Sequence, residues 1–165
     1  MKKINSIYIL LVSVVLLASA NATAQISKAE IRATGLTCSM CSNAINKQLK
    51  SLPEVVDVET DLNTNTFTVK LKEENTLSPK VFKDRVEKAG FFIGTLILTT
   101  KLETIKQSTY VLINNVSNSN KEVKFQVMDK GYVTEREFKK LLKSLKNLAT
   151  YDSNNEDDYH IKIIN

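Results

Sequence analysis

The chain of 165 residues has two cysteines, one histidine and no tryptophan. That scarcity excludes a good deal. Cys38, Cys41 and the sequence-distant His160 fall short of the four ligands a structural zinc requires. Without tryptophan, the pair lacks the aromatic neighbour usual beside thioredoxin-like exchange sites. Long apolar runs are also missing: Ile7–Ala18, "IYILLVSVVLLA", is shorter than the roughly 20 residues that span a bilayer, and nothing later is longer. No basic run is interleaved with aromatics, as nucleic-acid binders usually require. The formal charge of +5 is too small to argue for an anionic partner.

What is present begins with Lys2 and Lys3, the apolar stretch, and "ANATAQ", where small residues recur at alternate positions. This is the n-region, h-region and A-x-A site of a secretory signal peptide. The expectation is a signal over 1–24, cut after Ala22 or Ala24, and a soluble exported protein, periplasmic and not membrane-embedded after cleavage. No cysteine follows the h-region, which argues against a lipid-modified N-terminus. The remaining length suits one ordinary domain or two small ones.

Along that remainder, "KAEIRAT" (28–34) alternates as a half-buried strand does. Gly35 and Thr37 break the pattern, and from Cys41 onward Ala44, Ile45, Leu49 and Leu52 recur at helical spacing until Pro53 forbids continuation. "VVDVETDL" and "TFTVKL" read as a hairpin joined by a polar Asn-Thr stretch. Ser78 and Pro79 are an N-cap and first-turn proline, Val81, Phe82, Val86 and Ala89 an apolar stripe, and Gly90 a left-handed C-terminal cap. "FFIGTLIL" closes the set as a fourth strand. The order βαββαβ is the split βαβ, ferredoxin-like sandwich of the α+β class.

This order puts Cys38 in the first strand-to-helix loop and Cys41 at the helix start, where backbone N–H groups and the helix dipole favour thiolates. Metal capture, disulfide exchange and a plain structural staple all remain open to such a pair. Two thiolates do suit a soft d¹⁰ ion, Cu(I) or Hg(II), which accepts two nearly opposite sulfurs. A bridge across so small a loop confers little entropic benefit.

"GLTCSMC" resembles the G-M-T-C-x-x-C signature of heavy-metal-associated domains, found in copper chaperones, soft-metal P-type ATPases and periplasmic mercury-binding proteins. The resemblance runs over about 25–100 and includes "KAGFFIG". It implies that Cys38 and Cys41 are the metal ligands, that Gly35 and Thr37 shape the loop, that Leu36 replaces a Met packed beneath it, and that Phe91 lies near it. It further implies a Cu(I) chaperone or scavenger without turnover, passing its ion by thiolate exchange to a metal-transporting P-type ATPase or another metal-handling protein. A periplasmic Hg(II) scavenger and a thiol-disulfide redox protein are the alternatives. Met40, between the cysteines, is expected to face water.

Past Lys101 the resemblance stops. "STYVLINNV" and "KEVKFQVMD" read as strands around the turn "SNSNK". Thr134 and Glu137 form a capping box ahead of the stripe Phe138, Leu141, Leu142, Leu145 and Leu148, with lysines opposite. "YDSNNEDD" is an acidic loop without calcium-loop spacing. "DDYHIKIIN" alternates like a terminal strand and makes His160 a surface or structural residue rather than a ligand. Residues 101–165 are therefore expected to be a small α+β domain, or an extension packed on the first, with docking as its service and the lysine face as one candidate surface for an acidic partner.

Overall fold

A computed structural model describes residues 25–106, 110–114, 121–148, 150–151 and 158–164. The expected signal segment, nearly all of "SNSNK" and the interior of the acidic loop lie outside these residues.

Strand β1 (Ile26–Thr34) leads into helix α1 (Ser39–Lys50), the hairpin β2 (Val55–Asp61) and β3 (Thr66–Leu71), helix α2 (Pro79–Lys88) and strand β4 (Phe92–Lys101). These strands stand in the antiparallel order β2-β3-β1-β4, the expected ferredoxin-like α+β arrangement. The chain continues through a short helix α3 (Leu102–Lys106), β5 (Val111–Leu112), β6 (Glu122–Val127), α4 (Glu135–Ser144) and β7 (His160–Ile164). Its strands extend the same sheet to seven, in the order β2-β3-β1-β4-β6-β7-β5.

Period-two alternation makes this one core. Paired positions Val58, Val69, Ala29, Leu98, Phe125 and Ile163 form a row across six strands, and every one of them is buried. Onto this face α1 packs Ile45 and Leu49, and α2 packs Phe82 and Val86. Each such fully buried side chain contributes about 1.5–3 kcal/mol relative to exposure. Residues of opposite parity form a charged face carrying the pairs Lys28–Glu30, Lys124–Glu30 and Lys70–Glu59. At the far end of that face α4 covers Met128 and Tyr151 with Phe138 in a second, smaller cluster.

Local chemistry sets the turns. Phe91 N–H reaches Val86 C=O at 3.2 Å and Gly90 N–H reaches Glu87 C=O at 2.8 Å, so Gly90, at φ +88°, closes α2 with the Schellman pair of bonds. In the β2–β3 turn Asp61 accepts from the Asn63 N–H and the Thr64 hydroxyl, both at 2.8 Å, and Asn65 takes φ 54°. The Thr134 hydroxyl caps α4 by accepting the Glu137 N–H at 3.3 Å.

Some boundaries differ from expectation. Strand β4 runs on to Lys101 because Thr99, Thr100 and Lys101 pair with Lys124, Val123 and Glu122 of β6. Within "STYVLINNV" only Val111–Leu112 is strand, parallel to β7, and residues 108–109 and 115–116 lie outside the described set. Helix α4 stops at Ser144, although Leu145 and Leu148 still pack on its cluster. Ser78 occupies the N-cap of α2 without a side-chain capping bond.

Candidate functional site

The loop Gly35–Cys38 turns the chain from β1 into α1. Gly35 sits at φ +85°, which glycine adopts without steric cost, and a Cβ there would meet Phe91 Cδ1 at 4.0 Å. The Phe91 ring therefore lies against the turn, joined to the main core as a half-buried side chain beside Leu36. The loop rests on an apolar floor, as expected for Leu36 and Phe91. Met40 is 81% exposed, facing water as its position between the cysteines implies.

Cys38 is the N-cap of α1, in extended backbone at φ −152°, ψ 161°, and its side chain caps nothing. The helix thus begins at Ser39, earlier than the apolar spacing placed it, and Cys41 lies in the first turn with its N–H on Cys38 C=O at 3.1 Å. Both cysteines are free thiols, Cys38 exposed and Cys41 half-buried. Their sulfurs stand 2.8 Å apart. The hydrogen bond from Cys38 holds the Cys41 thiol below the ordinary cysteine range, helped by the backbone of Thr37, against an opposing effect of burial that outweighs each of the lesser contributions from the Cys38 backbone and the Thr37 side chain. Thr37 thus helps to acidify the Cys41 thiol, a role beyond the loop-shaping that the motif implied.

His160 belongs to a different place. It is 1% exposed, with Nδ1 2.7 Å from Asp129 Oδ1, Nε2 2.9 Å from Thr150 Oγ1, and its backbone N–H 2.7 Å from Asp129 Oδ2. Tyr151 packs edge-on to its ring at 5.0 Å. It is structural, and buried rather than on the surface. Burial pushes the Asp129 carboxyl up against the lowering effect of its bonds to His160. The sequence signal for this partner was faint, since Asp129 is one acidic residue following an apolar strand.

Among the described residues no group of three or more His, Cys, Asp or Glu side chains is placed to hold a metal. The donor set is two thiolates, one of them easily ionised. A structural zinc would lack half its ligands, whereas a soft ion satisfied by two sulfurs would lack none. At metal–thiolate bonds of about 2.3 Å, opposed sulfurs would stand roughly 4.5 Å apart. Cys38 is exposed and its side chain makes no capping bond, so holding an ion in that way requires its sulfur to move outward from Cys41.

Residues 30–92 match the heavy-metal-associated domain family. A probable copper-transporting ATPase of Arabidopsis thaliana is 29% identical over 92 residues, which are 56% of this chain and only 9% of that protein. Among solved structures, a copper transporter domain from yeast is 31% identical, covering 41% of this chain and 90% of its own, with TM-score 0.37. The N-terminal domain of a potential copper-translocating P-type ATPase from Bacillus subtilis is 30% identical, covering 40% and 81%, with TM-score 0.36.

Proposed function

From the premise that residues 30–92 form a heavy-metal-associated domain, we propose that the chain is an exported soft-metal carrier that binds one Cu(I) between Cys38 and Cys41 and passes it on without turnover. The observation that carries this is the pair of free thiols 2.8 Å apart in an exposed loop, with no third ligating side chain beside them among the described residues. Two sulfurs hold a d¹⁰ ion well enough to capture it and leave it open to attack. A partner's thiolate adds to the bound ion, one cysteine bond breaks, then the second, and the ion moves along the affinity gradient. The partner is a metal-transporting P-type ATPase or another thiol-bearing metal handler, consistent with the copper ATPase similarity.

Export rests on the N-terminal sequence pattern, which also puts the work outside the inner membrane, in the periplasm. No helix among the described residues is long and apolar enough to cross a membrane. In an oxidising compartment the thiols must be kept reduced, and their 2.8 Å separation favours a second reading, thiol-disulfide exchange, because little movement brings them to bonding distance.

Anaerobic competition of Cu(I), Hg(II) and Zn(II) for the reduced protein separates the readings. Cu(I) held more tightly than micromolar, about 8 kcal/mol, with Zn(II) weak, is expected. Hg(II) retained at the expense of Cu(I) makes the protein a mercury scavenger. Absence of all three, together with turnover in a disulfide-reductase assay, makes it a redox protein.

A further inference from the structure

We propose that the outer face of α4 is a docking surface for an anionic phospholipid bilayer, which holds the chain at a membrane without insertion. At about 100° per residue, Arg136, Lys139, Lys140 and Lys143 fall within an arc of roughly 100° and along about 10 Å of helix. All four are exposed, and Lys146, also exposed, follows just past the helix end. Charges so close lie within about one Debye length, roughly 8 Å at physiological salt. The modest net charge of the chain hides this local one.

The fold does not account for the patch. Arg136 stands in the first turn, at the positive end of the helix dipole, where a cation is unfavourable. The i, i+4 pairs Arg136–Lys140 and Lys139–Lys143 set like charges side by side, which costs helix stability. Lys143, in the last turn, is the one member that the dipole favours. Lys139 has Glu135 at 3.6 Å, both well exposed, whereas Arg136, Lys140 and Lys143 make no ion pair among the described residues.

The chemistry of the face selects its partner. Phe138 is buried under the helix, and Leu141, Leu142 and Leu145 pack on the same cluster, so the apolar side is occupied and α4 has none left to sink into hydrocarbon. None of the exposed large apolar side chains among the described residues lies on α4. A specific protein interface has an apolar core depleted of charge, and single-stranded nucleic acid asks for stacking aromatics. An anionic bilayer needs only clustered lysine and arginine. The helix also starts near the thiols. A Cβ on Gly94 would stand 2.6 Å from Thr34 Cγ2 and 3.7 Å from Thr134 Cγ2, so the N-cap of α4 lies beside the last residue of β1, directly ahead of the Gly35–Cys38 loop. A carrier docked through α4 searches for a membrane transporter in two dimensions.

Co-sedimentation of the metal-free mature chain with vesicles tests this, separately from any failure of Cu(I) binding. Phosphatidylcholine vesicles containing about one-third phosphatidylglycerol should bind the protein, and pure phosphatidylcholine should not. Raising salt from about 0.1 M to about 1 M, which cuts the Debye length from about 10 Å to 3 Å, should release it. Arg136→Gln/Lys140→Gln should weaken binding at least about tenfold, each surface cation being worth roughly fivefold. Lys47→Gln/Lys50→Gln removes as much charge from exposed positions at the end of α1 and should leave binding within about twofold of wild type. Equal binding to the two kinds of vesicle, no binding to either, equal weakening by the two double variants, or binding that survives high salt overturns the proposal. Capture of polyglutamate without capture of anionic vesicles also overturns it and gives the face to an acidic protein.

Discussion

The chain builds two polar clusters on one sheet and treats them in opposite ways. At the β1–α1 loop, Cys38 and Cys41 are solvent-accessible free thiols whose principal side-chain partners are each other. At the β6–β7 end, His160 is sealed at 1% exposure with both ring nitrogens paired, to Asp129 and Thr150. Sulfur is the softer donor and the cheaper to leave without a hydrogen bond. An imidazole and a carboxylate taken out of water must be fully paired. The pair able to accept a ligand is the one left open, and the pair that is satisfied holds strands together.

The contrast can be broken at several strengths. The largest effect is expected from Phe125→Ala, which removes a buried ring from the row joining both regions and should cost about 3–5 kcal/mol. Because the core is continuous, chemical denaturation followed by circular dichroism should still give one transition; an early, separate loss of β6, β7 and α4 would show two independent units. Next comes His160→Ala, which leaves a buried carboxylate without its main partner at a cost of about 2–3 kcal/mol. Its Cu(I) stoichiometry should equal that of the wild type, and a loss of metal binding would mean the two clusters are coupled.

Gly90→Ala is smaller. It forces a side chain into the left-handed cap at φ +88°, about 1–2 kcal/mol, and is read by thermal melting. Smallest is the pH effect at Cys41. Its pKa is lowered, so at a given neutral pH a larger fraction is thiolate than in an ordinary cysteine, and iodoacetamide alkylation followed by mass spectrometry should persist at lower pH there. Cys38→Ala removes the largest cause of that shift and should move the profile upward; an unchanged profile would assign the shift to Thr37.

Much of the sheet and the site was legible because the signals are local. Alternation in "KAEIRAT", the stop at Pro53, the cap at Gly90 and the two thiols with their flanking Gly35 and Thr37 each depend on neighbours a few residues away. What escaped was non-local. Nothing in "FFIGTLIL" says that its strand continues through Thr99 and Thr100 to pair with β6, since the partner lies more than 20 residues on, across segments outside the described residues. Helix α3, five residues long, is too short for a period to register. His160 and Asp129 are 31 residues apart, and only the fold brings them together.

The most direct test of the thiol pair as a carrier site is an anaerobic Cu(I) titration of the reduced mature protein beside Cys38→Ser/Cys41→Ser, with chelator competition and a thermal melt of each. One Cu(I) per wild-type chain, tighter than micromolar, and none in a double variant that melts within about 0.5 kcal/mol of wild-type stability is the expected result. Equal Cu(I) binding by both proteins, or none by the reduced wild type, would contradict it.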